Sequence, residues 1–432
     1  MKRLQYLLLL ALPLFFSSCN SKNIEEARPK YIFYMIRDGF GLNQSFLPEY
    51  YLDAKSKDTS TCHLDILTLP VLGTATTYSA SSFITCSSAA GTALATGYKT
   101  NNGCLGVLPD GKTPVTSIAK KLHDEGYNVG IISTVSSDHA TPAAFYAHVE
   151  SRNMYKEISY QLKDIDYEYI AGSSLRGAKK MPGIYDTLRN NGFVVSNDKD
   201  VILNHKLSDG KLFAYHPTAD EKSDIPYCID TKDDEMHLPF YVNKAIELFE
   251  NDNKGFFMMI EGSQIDYACH QNDPGATLHE ALDFNDAFKL VYDFYLRHKD
   301  ETLIVITADH ETGGLSIGQE SKGYTFYPDL LDYQKISGDK FKEILKGIKN
   351  DDKQFSEEDL YALLNEYFGF NNEDERMALN KQDSLRIEYY YLKYFKPQRL
   401  AKQGDKLKTE IFKTDVVTVY DIAGLALKIM SE

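Results

Sequence analysis

The sequence predicts an α/β protein built on a largely parallel sheet. Two observations carry that prediction. Apolar runs of strand length alternate with amphipathic stretches of about 10–15 residues, as where Val115–Glu125 leads through Gly126 to Tyr127–Ile132. Three of the buried runs also end in acidic or acidic–histidine clusters. In a parallel sheet those ends gather on one edge, where ligands bind.

The first nineteen residues read as a targeting segment rather than as part of that fold. Lys2 and Arg3 precede the apolar run Leu4–Phe16, and Ser17-Ser18 lead into Cys19. Phe16-Ser-Ser-Cys19 is similar to a bacterial lipobox, so a lipid anchor at Cys19 and a bacterial cell-envelope address, periplasmic or surface-facing, are expected. A conventional signal cleaved nearby is the alternative. Residues 20–30 form a polar linker.

Tyr31-Ile-Phe-Tyr-Met-Ile36 is the first strand and runs into Arg37-Asp38-Gly39-Phe40-Gly41. Alone, Asp-Gly is a turn as readily as a ligand position. The stretch Ile84–Gly97 is filled with small residues, and Ser87 or Ser88 stands where its helix begins. Backbone N–H groups at such an end bind phosphate, and a hydroxyl beside them can serve as nucleophile. A buried helix with a serine cap would look the same.

After the strand at 127–132 come Ser137-Asp-His-Ala-Thr-Pro142 on a loop and Ala147-His-Val-Glu-Ser-Arg152 as the end of a helix. Residues 155–235 are harder to read, with weak strands near 167–171 and 192–196. Met236–Glu250 is helical by pattern, and Gly255–Ile260 is a strand followed by Glu261-Gly-Ser-Gln-Ile-Asp-Tyr-Ala-Cys-His270. Asp266 and His270, four apart, share a helix face and can grip one ion. A long helix over His279–His298 leads to the strand Leu303–Thr307, which ends in Ala308-Asp-His-Glu-Thr-Gly313. Imidazoles with carboxylates suit zinc, and an all-oxygen set suits magnesium.

Composition narrows the partners. The net charge of −15 leaves no basic surplus for nucleic acid as a stable partner. Small anionic substrates remain compatible, because bound cations dominate the local field. Six cysteines show no close-spaced pair, so neither a zinc ribbon nor a disulfide framework is indicated, and one disulfide stays open.

Taken in order, the strand ending Asp-Gly-Phe-Gly, Ser87–Gly97, Ala-Thr-Pro, Glu-Gly-Ser-Gln-Ile-Asp-x-x-x-His and Thr-Ala-Asp-His-Glu-Thr-Gly resemble the motifs of the alkaline phosphatase family. The resemblance spans about residues 30–320. It implies a three-layer sandwich around a mostly parallel sheet, with a catalytic core over 31–320, a largely helical crown-like insertion over 321–413 and a final core helix over 414–432. It implies hydrolysis of small phosphate monoesters through a phosphoserine at Ser87, with Arg152 clamping the phosphate. Asp266 and His270 match ligands of a first zinc, and Asp38, Asp309 and His310 those of a second. Thr141 and Glu261 correspond to a magnesium site toward which Asp38 bridges, and His139 is expected as a metal ligand at that third position, where with Tyr267 beside it zinc or cobalt would compete with magnesium. A homodimer is compatible with the same resemblance.

This sequence departs from the family pattern at four places. Cys86 stands where the family commonly has Asp before the nucleophile, Arg37 where a small residue is usual, and Tyr267 at a variable position. No histidine follows His310, whereas the family's first zinc takes a third ligand from a later His-Thr-Gly segment. The expectation is therefore an incomplete first zinc site and a shortened, poor phosphatase. A phosphodiesterase or sulfatase-like hydrolase and a catalytically weak phosphate- or metal-binding lipoprotein are the rival readings.

Overall fold

Among the described residues seven strands form one sheet, every neighbouring pair parallel: β1 (Tyr31–Arg37), β2 (Asn128–Ser136), β3 (Tyr169–Ser173), β4 (Phe193–Ser196), β5 (Lys211–Tyr215), β6 (Phe256–Gly262) and β7 (Thr302–Ala308). Their order is β4-β5-β3-β2-β6-β1-β7. This computed structural model describes residues 28–56, 63–218, 224–231, 236–318, 323–351 and 354–401, with Gly424 and residues 426–428.

Side chains alternate across a strand, so each strand feeds two cores. From β1, Tyr31, Phe33 and Met35 enter one core, together with Met258 and Ile260 of β6. Two long helices, α8 (Leu238–Glu250) and α10 (Pro274–Arg297), cover that face through residues such as Tyr241, Phe249, Phe284 and Phe294. Ile32 and Ile36 enter the other core with Val129, Ile131 and Met259. There the cover comes from α2 (Ser87–Thr96), α3 (Ile118–Asp124), α5 (Tyr155–Gln161) and α6 (Ile184–Asn190). The result is the expected three-layer α/β sandwich. Burial on both faces explains why β1 and β6 read as continuous apolar runs.

Further α-helices are α1 (Leu42–Lys55), α4 (Ala140–Ala143), α7 (Lys199–Asn204) and α9 (Gln264–His270). Beyond the sheet follow α11 (Gly338–Asn350), α12 (Glu357–Phe368) and α13 (Lys381–Phe395). These last three enclose a core of their own, in which Phe341, Leu360, Phe368 and Tyr391 are buried. Ala426 and Leu427 are buried in that same core. The Ser356 side chain caps α12 by accepting from the Asp359 N–H, as the sequence suggests. The ends of the expected insertion and most of the expected closing helix lie outside the described residues, as does the whole leader.

Two local expectations need correction. Ala147–Arg152 is not helical: Val149 pairs with Leu105 through both backbone bonds, at 2.9 and 3.1 Å, and the Arg152 N–H donates to the Gly103 carbonyl at 2.7 Å. That pairing satisfies the backbone groups a helix would otherwise claim. The long helix starts at Pro274 rather than His279, because the Asp273 carboxylate caps it by accepting from Ala276 N–H at 2.9 Å. Strand β5 was not anticipated. Among the described residues Cys86, Cys104, Cys228 and Cys269 are free thiols.

Candidate active site

Three adjacent strands deliver the site. β1 pairs with β6 on one side and β7 on the other, and the registers Ile36↔Glu261 and Ile36↔Thr307 bring their ends level. Asp38, Glu261 and Asp309 therefore emerge together at one sheet edge.

Gly39 makes the convergence possible. Its φ is +69°, and a β-carbon there would lie 2.5 Å from Asp266 Oδ1. Only glycine lets the turn after β1 pass so close to α9. Its N–H donates to Asp309 Oδ1 at 3.1 Å, and the His310 N–H donates to the same oxygen at 2.8 Å. Gly91 plays a similar part in α2, where a β-carbon would stand 3.2 Å from Thr141 Cα, so α2 and α4 pack closely.

Donor atoms of Asp38, Asp309 and His310 all lie within 4.8 Å of one another. His310 Nε2 is 3.2 Å from Asp309 Oδ2, 3.6 Å from Asp38 Oδ1 and 3.3 Å from Ser87 Oγ. Ser87 is the first residue of α2, with Cys86 as the extended residue before it. Ser88 faces away: its Oγ lies 3.2 Å from Cys86 Sγ. Of the two serines, Ser87 is the one whose hydroxyl contacts the strand-end cluster.

Burial without partners marks these groups. Among the described residues, Asp38 Oδ1, Asp309 Oδ2, Asp266 Oδ1, Glu261 Oε1, Thr141 Oγ1 and His139 Nδ1 are buried and find no hydrogen-bond partner, the first two having only the His310 ring beside them. Other lone pairs are held in place, with Ser263 donating to Asp38 Oδ2 at 2.9 Å and Ser133 to Glu261 Oε2 at 2.6 Å. Burial, then the neighbouring Asp309 and Asp266, pushes the Asp38 carboxyl well above the carboxylate range. Burial pushes Asp309 up to about 7; burial and then Asp38 push Glu261 up to about 8. Several orphaned carboxylate oxygens aimed at one space are what cation ligands look like, so the residues fit divalent metals.

Asp266 and His270 do share one face of α9, with His270 Nε2 3.4 Å from Asp266 Oδ2. The Asp266 carboxylate is buried, whereas the His270 side chain is 66% exposed. They flank the Asp38 cluster on the side of Gly39.

On the other side stands a chain of polar contacts. Arg152 Nη2 donates to His139 Nε2 at 2.9 Å, and Tyr267 Oη is 3.2 Å from the same nitrogen. Arg176 Nη2 donates to Tyr267 Oη at 2.8 Å and to both Asp224 oxygens at 2.9 and 2.8 Å. Burial, then Arg152 and Arg176, holds His139 well below its ordinary pKa, so the ring is neutral and accepts from Arg152. The sequence assigned His139 and Tyr267 to a third metal position and Arg152 to the phosphate, without the direct contact of Arg152 with His139, and it did not find Arg176 or Asp224. Asp224 follows a polar stretch with no motif, so no local signal identified it.

The alkaline phosphatase family model matches residues 29–176 and 195–383. The chain belongs to the alkaline phosphatase family. It is 33% identical over 277 residues to alkaline phosphatase 4 of Bacillus subtilis, which covers 61% of this chain. The chain spans 57% of the length of that relative. Among solved structures, a cold-active alkaline phosphatase from Shewanella superposes with a TM-score of 0.69 at 25% identity, over 93% of this chain and 99% of that one. A histidine-to-glutamate mutant of the TAB5 alkaline phosphatase, with Mg bound in its M3 site, superposes with a TM-score of 0.59 at 28% identity, over 68% of this chain and 81% of that one.

Proposed function

We propose that this chain hydrolyses phosphate monoesters, transferring the phosphoryl group to Ser87 and then to water. The observation that carries the reading is Ser87 Oγ at the start of α2, 3.3 Å from His310 in the Asp38–Asp309–His310 cluster. Family membership supports phosphomonoester chemistry, and the TAB5 relative with its magnesium supports metal ions as cofactors.

By the fit of the donors, Asp38, Asp309 and His310 would hold one ion, Asp266 with His270 a second, and Glu261 with Thr141 a third. We assign zinc to the two histidine-containing sets and magnesium to the all-oxygen set. Such ions lower the pKa of a serine hydroxyl and neutralise a leaving oxygen. The chain supplies the rest. Ser87 Oγ gives up its proton to solvent and attacks phosphorus as the bond from phosphorus to the alcohol oxygen breaks, and the departing oxygen takes a proton from water. The first-turn N–H groups of α2 face the non-bridging oxygens. Arg152, held by neutral His139, adds a fixed positive charge there. Water then attacks the phosphoserine and releases inorganic phosphate, restoring Ser87.

Turnover of p-nitrophenyl phosphate set against bis(p-nitrophenyl) phosphate tests the reading. Preference for the monoester, with phosphoserine trapped at Ser87 at low pH, is the expected result. Preference for the diester would overturn it in favour of a phosphodiesterase. For cellular address we propose lipidation at Cys19, which lies outside the described residues. Metabolic labelling with a lipid analogue should mark wild type and fail to mark Cys19→Ala.

A further inference from the structure

A second group of ligand-bearing side chains lies away from the strand ends. Cys228 opens the short turn Cys228–Asp230, His237 immediately precedes α8, and Asp283 projects from α10. The Cys228 sulfur, a His237 ring nitrogen and an Asp283 carboxylate oxygen all lie within 4.8 Å of one another. The Cys228 turn and the start of α8, nine residues apart, thus meet the middle of α10 at one point.

We propose that Cys228, His237 and Asp283 form a structural zinc site, separate from the catalytic cluster. Cys228 Sγ and His237 Nδ1 are 3.4 Å apart. Tetrahedral zinc with ordinary Zn–S and Zn–N bonds sets such ligands about 3.6 Å apart, so the pair needs almost no adjustment. The other ring nitrogen supports the same assignment. His237 Nε2 lies 3.4 Å from the Thr231 carbonyl oxygen and 3.1 Å from Thr231 Oγ1. The Thr231 hydroxyl donates to the Tyr227 carbonyl at 3.1 Å and so accepts from the ring, and the Thr231 carbonyl can only accept; together they favour the proton on Nε2, with the Nδ1 lone pair turned to the shared point. Metal-bound histidines are oriented in this manner.

The oxygen donors are braced as well. Asp283 Oδ2 accepts from the Leu238 N–H at 3.3 Å, and Glu280, one turn earlier on α10, accepts from the Cys228 N–H at 2.8 Å. Sulfur, imidazole and carboxylate together select zinc over magnesium or calcium. The site would rivet the turn at Cys228 to α8 and α10. Four residues before Cys228 stands Asp224, the partner of Arg176, so the same rivet fixes one end of the polar chain leading to His139.

Cobalt substitution separates this site from the catalytic ions, whose proposed ligands include no cysteine. Full-length protein stripped by chelator and reloaded with Co²⁺ alone should develop a near-ultraviolet sulfur-to-cobalt charge-transfer band. That band should vanish in Cys228→Ser and persist in Cys86→Ser, the control for the other thiol near bound metal. Zinc-loaded Cys228→Ser and Asp283→Asn should each bind about one equivalent less zinc per chain than wild type. Because either variant could be misfolded, thiol titration of wild type provides a second measurement: Zn²⁺ should protect one thiol, and peptide mapping should assign it to Cys228. No charge-transfer band, a band retained in Cys228→Ser, or a Cys228 thiol equally reactive with and without zinc would reduce the cluster to a thiol–imidazole hydrogen bond.

Discussion

At the scale of single residues, the site separates groups that the sequence left side by side. Ser87 and Ser88 are neighbours of the same type, yet one contacts His310 and the other contacts Cys86. Ser87→Ala should lower kcat by about three orders of magnitude or more and abolish the trapped phosphoenzyme, while Ser88→Ala keeps it. Stoichiometric acid-stable phosphate on Ser87→Ala would refute that. Arg152 and Arg176 divide in a similar way. Arg152→Ala should raise KM about ten- to a hundredfold, the equivalent of about 1.5–3 kcal/mol for a charge-assisted hydrogen bond to phosphate, with metal content unchanged. Asp309→Ala, in contrast, should lower metal content itself; equal zinc in Asp309→Ala and wild type would contradict its assignment as a ligand.

At the scale of elements, Asp273 ties the helical part to the sheet. It caps α10, accepts from Gln334 Nε2 at 2.6 Å, and accepts from the Gly338 N–H at the start of α11 at 2.8 Å. Asp273→Ala should cost about 2–4 kcal/mol, since three donors lose one buried acceptor. The cost should also depend on pH. Burial raises the Asp273 carboxyl to about 6 in the fold, above its ordinary 3.8. A raised folded pKa means that the contribution is fully present below about 4 and is lost as pH rises through about 6. Denaturant titrations should therefore give a larger difference between wild type and Asp273→Ala at pH 4 than at pH 7. A difference that grows with pH would show that the carboxylate, rather than the acid, is the stabilised form.

At the scale of the molecule, the order β6-β1-β7 concentrates buried acid at one edge, and pH should act on it through metal binding. Asp38, Glu261 and Asp309 all have carboxyls raised above their ordinary range, so in the stripped chain their protonated forms are favoured and stability declines as pH rises through about 7–8. Ligation displaces those protons. Added zinc and magnesium should accordingly raise Tm more at pH 9 than at pH 6, and a gap that narrows with pH would count against these ligands. Much of this edge was legible in the sequence, because a buried parallel strand is an unbroken apolar run and the residue after it can be read directly. Asp38, Glu261 and Asp309 were found in that way. β5 and the Arg176–Asp224 pair were not, because their partners come from segments whose contact depends on the whole sheet order. The helix expected at Ala147–Arg152 failed for a related reason: its pattern is local, while the pairing of Val149 with Leu105 is not.

Among the described residues β7 is bonded on one side only, to β1, whereas β1 and β6 each have strands on both sides. Asp309 and His310 therefore hang from the margin of the sheet, and Asp38 and Glu261 from its middle. Amide hydrogen exchange should expose that asymmetry. Deuterium should enter β7 by local fraying well before it enters β1 or β6, whose exchange should await global unfolding. The ion held jointly by Asp38, Asp309 and His310 would then be a clasp between a slow-exchanging strand and a fast-exchanging one. Loading the protein with metal should slow exchange in β7 far more than in β6.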